Sequence, residues 1–102
     1  MPNFLFIYYG GKMAETPEEQ KKSMDVWTKW FKVQGQALKD MGAPTMPGKL
    51  VVGNSIKSIG RNAVTGYSIF QADNIDAAIA IAKTSPQNKN GGQIAVYQTM
   101  PM

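Results

Sequence analysis

The 102-residue chain contains no cysteine and no histidine. Without cysteine there is no disulfide, no thiolate metal site and no cysteine nucleophile. Without histidine the usual general base near neutral pH is missing, and so is the commonest metal ligand. A Ser-His-Asp triad, a zinc finger and a haem-binding histidine are therefore excluded. Arginine is scarce as well: Arg61 stands alone beside ten lysines. Nucleic-acid readers favour arginine for bidentate base contacts and cluster their positive charge. Here the lysines are scattered from Lys12 to Lys89 and the net charge is +4, which describes a solvated surface with no nucleic-acid partner. Long apolar runs are also lacking. The stretch Phe4 to Tyr9 falls far short of the ~20 residues that cross a bilayer. It has no basic leader and no small-residue cleavage site. The expectation is a cytoplasmic protein with no membrane partner.

What remains is a mixed composition, 43% hydrophobic and 18% charged, that suits one globular domain over residues 1–102. Residues 3–9 read as a strand with Phe4, Phe6 and Tyr8 on one side and Leu5, Ile7 and Tyr9 on the other. A strand apolar on both faces needs cover on both. The domain's helices supply one cover, and a partner subunit is expected to supply the other. Gly10-Gly11 ends the strand. Thr16-Pro17-Glu18-Glu19 then forms a capping box with proline at the first helical position. Apolar residues at Met24, Trp27, Trp30, Phe31, Leu38 and Met41 predict a helix from Pro17 to about Met41. Gly35 weakens its interior and marks a kink or a break, and Gly42 supplies the stop.

Residues 43–48, with two prolines and a glycine, read as loop. Leu50-Val51-Val52 opens a short strand, and Ile56 and Ile59 belong to a ragged hairpin with it. A further strand runs from Gly66 to Gln71, with Tyr67 and Ile69 on one face and Ser68 and Phe70 on the other. Asp73 caps a second helix, with Asp76 three positions on. This helix stops near Thr84-Ser85-Pro86. Gln87 to Gly92 is a mobile-looking polar loop, and residues 93–99 form the last strand. The order β-α-β-β-α-β is the α+β, ferredoxin-like arrangement: a four-stranded antiparallel sheet with both helices on one face.

At this point the chain resembles the YCII-related proteins, which include the DGPF-type domains. The resemblance rests on Tyr8-Tyr9-Gly10-Gly11, on Thr16-Pro17-Glu18-Glu19-Gln20, and on Trp27 with Trp30-Phe31. It continues through Gly66-Tyr67-Ser68-Ile69, Ala72-Asp73, Ala77-Ala78 and Ala82-Lys83 to Gly91-Gly92-Gln93-Ile94-Ala95-Val96-Tyr97. It implies a homodimer in which two sheets pack face to face as a dimeric α+β barrel. Some members carry a histidine–aspartate pair suspected of catalysis, and many similar sequences carry Cys-Pro-His after the second helix. This chain has Ser85-Pro86-Gln87 there and lacks the Asp-Gly-Pro-Phe segment. Both departures weigh against chemistry and leave the implied fold intact.

Candidate site residues follow from the aromatics and the few convergent charges. Trp27 and Trp30, three apart on a helix, read as core or as the aromatic wall of a pocket. Tyr8, Tyr67 and Tyr97 read as packing or as phenols that orient a ligand. A phenol is a poor base at neutral pH without help. Asp73 is a cap or an acid at a ligand mouth. Arg61 is a turn residue or a bidentate clamp for a carboxylate or phosphate. Lys12 and Lys49 are further rim candidates that nothing selects. Gly10-Gly11 and Gly91-Gly92 match neither a P-loop nor a dinucleotide fingerprint and read as turns. Glu18, Glu19 and Asp25 make no closed metal set, and no cofactor is expected. The leading expectation is a homodimer that binds a small apolar or aromatic molecule in a cavity between helix, sheet and partner subunit. The alternative is a cofactor-independent enzyme, isomerase- or oxygenase-like, using Tyr, Asp and Arg in that cavity.

Overall fold

A computed structural model describes residues 1–11, 15–60 and 63–101 of the chain. Strand β1 (Asn3–Gly10) leads into helix α1 (Pro17–Gln34), a single 3-10 turn (Gly35–Ala37) and strand β2 (Leu38–Pro44). A hairpin of β3 (Lys49–Val52) and β4 (Ser55–Ser58) follows. Then come β5 (Val64–Gln71), α2 (Ile75–Lys83), the short α3 (Pro86–Lys89) and β6 (Gly92–Gln98). The main sheet has the order β2-β5-β1-β6 and is antiparallel throughout, while β3 and β4 pair only with each other. Setting the hairpin aside, this is the ferredoxin-like order expected from the sequence.

Two expectations about the sheet need correction. The sheet stays open, with β2 and β6 as unjoined edges, so no barrel is formed. The strand that follows α1 into the sheet is residues 38–44, not 50–52. Helix α1 stops seven residues earlier than its apolar spacing suggests. Gly35, at φ 57° and ψ −126°, caps it in a backbone region closed to side chains with a Cβ, and its N–H bonds the Lys32 carbonyl. The residues that continue the helical pattern, Leu38 and Met41, instead belong to β2, where Leu38 pairs with Phe70 and Met41 falls in the irregular stretch before Ala43. Gly42 is therefore a strand residue and not a helix stop. Its φ is +70°, and a Cβ there would overlap the Tyr67 carbonyl oxygen across the ladder. Asp40 accepts its N–H at 2.8 Å, which fixes the irregular register between Asp40 and Ala43.

The start of α1 is as its sequence dictates. Thr16 is the N-cap, accepting the Glu19 N–H at 3.1 Å. The Glu19 carboxylate turns back to the Glu15 N–H at 2.8 Å. At α2 the cap is Asn74, not Asp73: its side chain accepts the Ala77 N–H at 2.8 Å. The stretch expected to be a mobile loop begins with a turn of helix, α3, capped by Ser85.

All three helices lie on one face of the sheet. Phe4, Phe6 and Tyr8 of β1 point toward them with Ser68 and Phe70 of β5, and all are buried. Trp27, Trp30 and Phe31, three and four apart on α1, roof that layer. Ala78 and Ala82 let α2 approach the sheet closely. The result is a slab, 41 × 40 × 19 Å in extent.

Candidate functional site

On the helix side the space expected to hold a ligand is filled by aromatic side chains. Trp27 meets the Tyr8 ring edge-on at 5.0 Å, and Trp30 lies 5.3 Å from Phe70. Phe31 joins Trp27 and Trp30 at 5.7 and 5.3 Å. Each such pair adds about 0.5–1.5 kcal/mol beyond its area burial. The Trp30 indole N–H is spent on the Thr84 hydroxyl at 3.0 Å. Tyr8 lies across the ladder from Gly66, where a Cβ would crowd the Ala43 carbonyl oxygen of β2 at 3.2 Å. Its hydroxyl donates to Ser68 Oγ at 2.8 Å, and Ser68 in turn donates to the Met41 carbonyl at 2.8 Å. Burial pushes the Tyr8 phenol up to about 12, against the opposing pull of the Ser68 hydrogen bond. Tyr8, Trp27 and Trp30 are thus parts of the core.

A second buried polar element lies at the end of β1. The Gln87 amide donates to the Tyr9 and Gly10 carbonyls at 2.7 and 3.0 Å. It fits between the two glycine pairs, since a Cβ on Gly92 would run into the amide and one on Gly11 would crowd it. The expectation of turns at Gly10-Gly11 and Gly91-Gly92 needs correction: Gly10 and Gly92 are strand residues paired across the β1–β6 ladder, and only Gly91 lies in a turn. Gly11 and Gly92 form the cradle of this side chain. No local signal marks Gln87: the cradle exists only after β1 and β6 have paired.

The other face of the sheet carries the remaining candidates. Alternation places Leu5, Ile7 and Tyr9 of β1 there, between Tyr67 and Ile69 of β5 and Ala95 and Tyr97 of β6. Among the described residues, no helix covers this face. Tyr67 is 37% exposed and Tyr97 56%. Tyr67 lies opposite Ile7, and Tyr97 opposite Leu5. Two strand spacings and a two-residue offset put the backbones of the two tyrosines roughly 12 Å apart. Between them is an aliphatic floor with a phenol at each end. The five predicted site residues that are neither Arg61 nor Asp73 are therefore split by the sheet: Tyr67 and Tyr97 on the open face, Tyr8, Trp27 and Trp30 behind it. Asp73 is an exposed residue just ahead of the α2 cap. Arg61 and Lys12 lie outside the described residues, and Lys49 is exposed at the base of the hairpin.

Sequence reasoning left out Leu5, Ile7, Ile69 and Ala95 as a floor, although period-two alternation in three strands already marked the sides. Among the described residues, no group of three His, Cys, Asp or Glu is placed to hold a metal ion. None of their helices is long and apolar enough to cross a membrane.

Compared with known proteins, the chain matches no family model. No curated protein is a significant match either. A solved structure is similar across nearly the full length of both chains. It is 5-chloro-2-hydroxyhydroquinone dehydrochlorinase (TftG) from Burkholderia phenoliruptrix AC1100, in complex with 2,5-dihydroxybenzoquinone. The TM-score is 0.58 at 13% identity, covering 96% of this chain and 95% of that one. The two share a fold.

Proposed function

We propose that this chain is a cofactor-independent enzyme acting on a small hydroxylated aromatic or quinone-like molecule, held on the open face of the sheet and enclosed by a second copy of the chain. The observation that carries the reading is the arrangement of Tyr67 and Tyr97 at either end of the floor made by Leu5 and Ile7. A flat ring buries one face on aliphatic side chains while oxygens at its rim meet phenol hydroxyls. The fold shared with an enzyme whose structure holds a dihydroxybenzoquinone supports chemistry of this class. Isomerisation is the step these side chains suit best. A ring proton passes to solvent water and one is returned at another ring position while one phenol donates a hydrogen bond to a ring oxygen, so atoms balance and no oxidant or cofactor is consumed. Tyr8 takes no part, because it is buried behind the sheet and its proton is committed to Ser68. The same reading keeps the chain with the YCII-related proteins, on the motifs named above and on the shared fold.

Binding without turnover is a second reading. It is favoured by the open-face side chains of β1, β5 and β6, which include neither a carboxylate nor an imidazole. Titration with 2,5-dihydroxybenzoquinone, followed by absorbance, tests both. Saturable binding is expected, weakened about threefold to tenfold in Tyr67→Phe and in Tyr97→Phe for one lost hydrogen bond each. Absorbance that changes catalytically with time supports the enzyme, and a stable complex supports the binder. No saturation with the unaltered chain, or an affinity in both variants equal to that of the unaltered chain, overturns the site.

A further inference from the structure

Among the described residues, β3 and β4 pair only with each other and form a ribbon apart from the main sheet. It grows from the end of the β2–β5 ladder. Thr45 still bonds along β5, its N–H to the Thr65 carbonyl at 3.0 Å and its hydroxyl to the Val64 carbonyl. Beyond that point the same ribbon continues as Lys49–Val52 and Ser55–Ser58, turning at Gly53-Asn54. Gly53 has φ +59° and Asn54 is not left-handed, which fits the II′ turn that suits a twisted two-residue hairpin. Every residue of both strands is exposed. Yet the sequence is not that of a solvated ribbon. Val51 and Ile56 are cross-strand partners on one side, 69% and 72% exposed, and Leu50 and Val52 occupy the other.

An isolated two-stranded hairpin is marginal in water, and a pair of β-branched side chains this exposed gains nothing by facing solvent. The whole chain has the same signature. Its accessible surface is 7739 Å², whereas about 5,700 Å² is typical of a monomer of this mass. The radius of gyration is 14.6 Å, against roughly 13 Å for a compact domain of this length. The excess of about 2,000 Å² per chain exceeds the roughly 1,000 Å² that one subunit contributes to a stable homodimer.

We propose that the β3–β4 hairpin is a dimerisation arm that lays its Val51–Ile56 side on a second copy of the chain. This deepens the reading above, which already needs a second copy at the open face. The arm sets where that copy is gripped. A two-fold axis makes the contact reciprocal, so each chain gives one arm and receives one. Lys49 and Lys57 stay at the solvated rim of the contact.

The test is the mass in solution, by light scattering across micromolar concentrations, of the full chain and of Val51→Asp/Ile56→Asp. The unaltered chain is expected at twice its 11.2 kDa. The double variant is expected to be monomeric, or to need at least about tenfold more protein to pair. Val33→Asp, at another exposed apolar residue on α1, is expected to leave pairing unchanged. Should the double variant fail to fold, Ile56→Cys in this cysteine-free chain takes a polarity-sensitive dye. Its emission is expected to shift to the red on dilution as the arm is released. A monomeric unaltered chain, a double variant that pairs as well as the unaltered chain, or emission insensitive to dilution overturns the proposal. Quinone binding is read separately. A chain that pairs through the arm without binding quinone loses only the ligand reading, and one that binds quinone with pairing untouched by the double variant loses only the arm.

Discussion

Replacing Ser68 by alanine is expected to cost more stability than replacing Tyr8 by phenylalanine, although Ser68 is much the smaller side chain. The hydroxyls run in one direction, Tyr8 to Ser68 to the Met41 carbonyl. Tyr8→Phe removes the first donor and leaves Ser68 still donating to Met41, so the loss is about 1 kcal/mol. Ser68→Ala leaves the Tyr8 O–H aimed at a methyl group in a site where Tyr8 is only 5% exposed. An orphaned buried donor costs about 1–3 kcal/mol in addition to the bond itself. Removing both hydroxyls relieves the Tyr8 orphan but still forfeits the Ser68 bond to the Met41 carbonyl, so the double variant should lie between the two single variants, with a coupling of about 1–2 kcal/mol or more. Urea unfolding followed by Trp27 and Trp30 fluorescence measures all three. If the two single losses are equal and simply add, the directed chain is not what holds this part of the core.

The same pair has an alkaline signature. The phenol is near 10 in the unfolded chain and about 12 when folded. A raised folded value means that its contribution is complete below pH 10 and is lost as pH rises toward 12. The unaltered chain should therefore lose about 1.4 kcal/mol relative to Tyr8→Phe by pH 11. Every other group is common to both proteins and cancels from the difference. A gap between the two that stays constant from pH 8 to pH 11 would refute the assignment.

Gly42→Ala should disrupt the β2 edge at a cost of more than about 3 kcal/mol, because a positive φ and a backbone overlap act together. Gly53→Asn, where φ is also positive but space is open, should cost about 1–2 kcal/mol from backbone strain alone, less than Gly42→Ala by the same thermal-unfolding measurement. Gln87→Glu should be worse than Gln87→Ala near neutral pH, since it turns a double donor into a carboxylate facing two carbonyls. Trp30→Phe should lose about 1 kcal/mol with the Thr84 hydrogen bond, and Thr84→Val in that background should add little.

How far the sequence reaches depends on whether a signal is local. The Thr16 cap and the two sides of β1 are decided within a few residues, and both are as the sequence implies. The end of α1 is not. Gln36, Ala37, Leu38 and Lys39 are all acceptable in a helix, and what removes Leu38 to Pro44 from it is pairing with β5, some 30 positions away. The tyrosines show the same divide. Alternation separates Tyr8 from Tyr9 and Ser68 from Tyr67, but which side the helices cover is settled by Trp30 packing on Phe70. Grouping Tyr8 with Tyr67 and Tyr97 as one ligand site therefore joined residues that the sheet keeps apart. Asn74 took the cap from Asp73 because one residue of difference in where α2 begins changes which side chain reaches the Ala77 N–H.

The Gln87 cradle constrains the order in which this sequence is able to drift. A side chain at Gly92 is barred while the Gln87 amide occupies the space its Cβ needs. Gln87 must shorten first, and that strands the Tyr9 and Gly10 carbonyls it now satisfies. A neutral imidazole at position 87 has one N–H to offer where the amide serves two carbonyls. A change from glutamine to histidine at position 87 therefore leaves a carbonyl without its present partner, unless the backbone at Gly10-Gly11 changes in the same step.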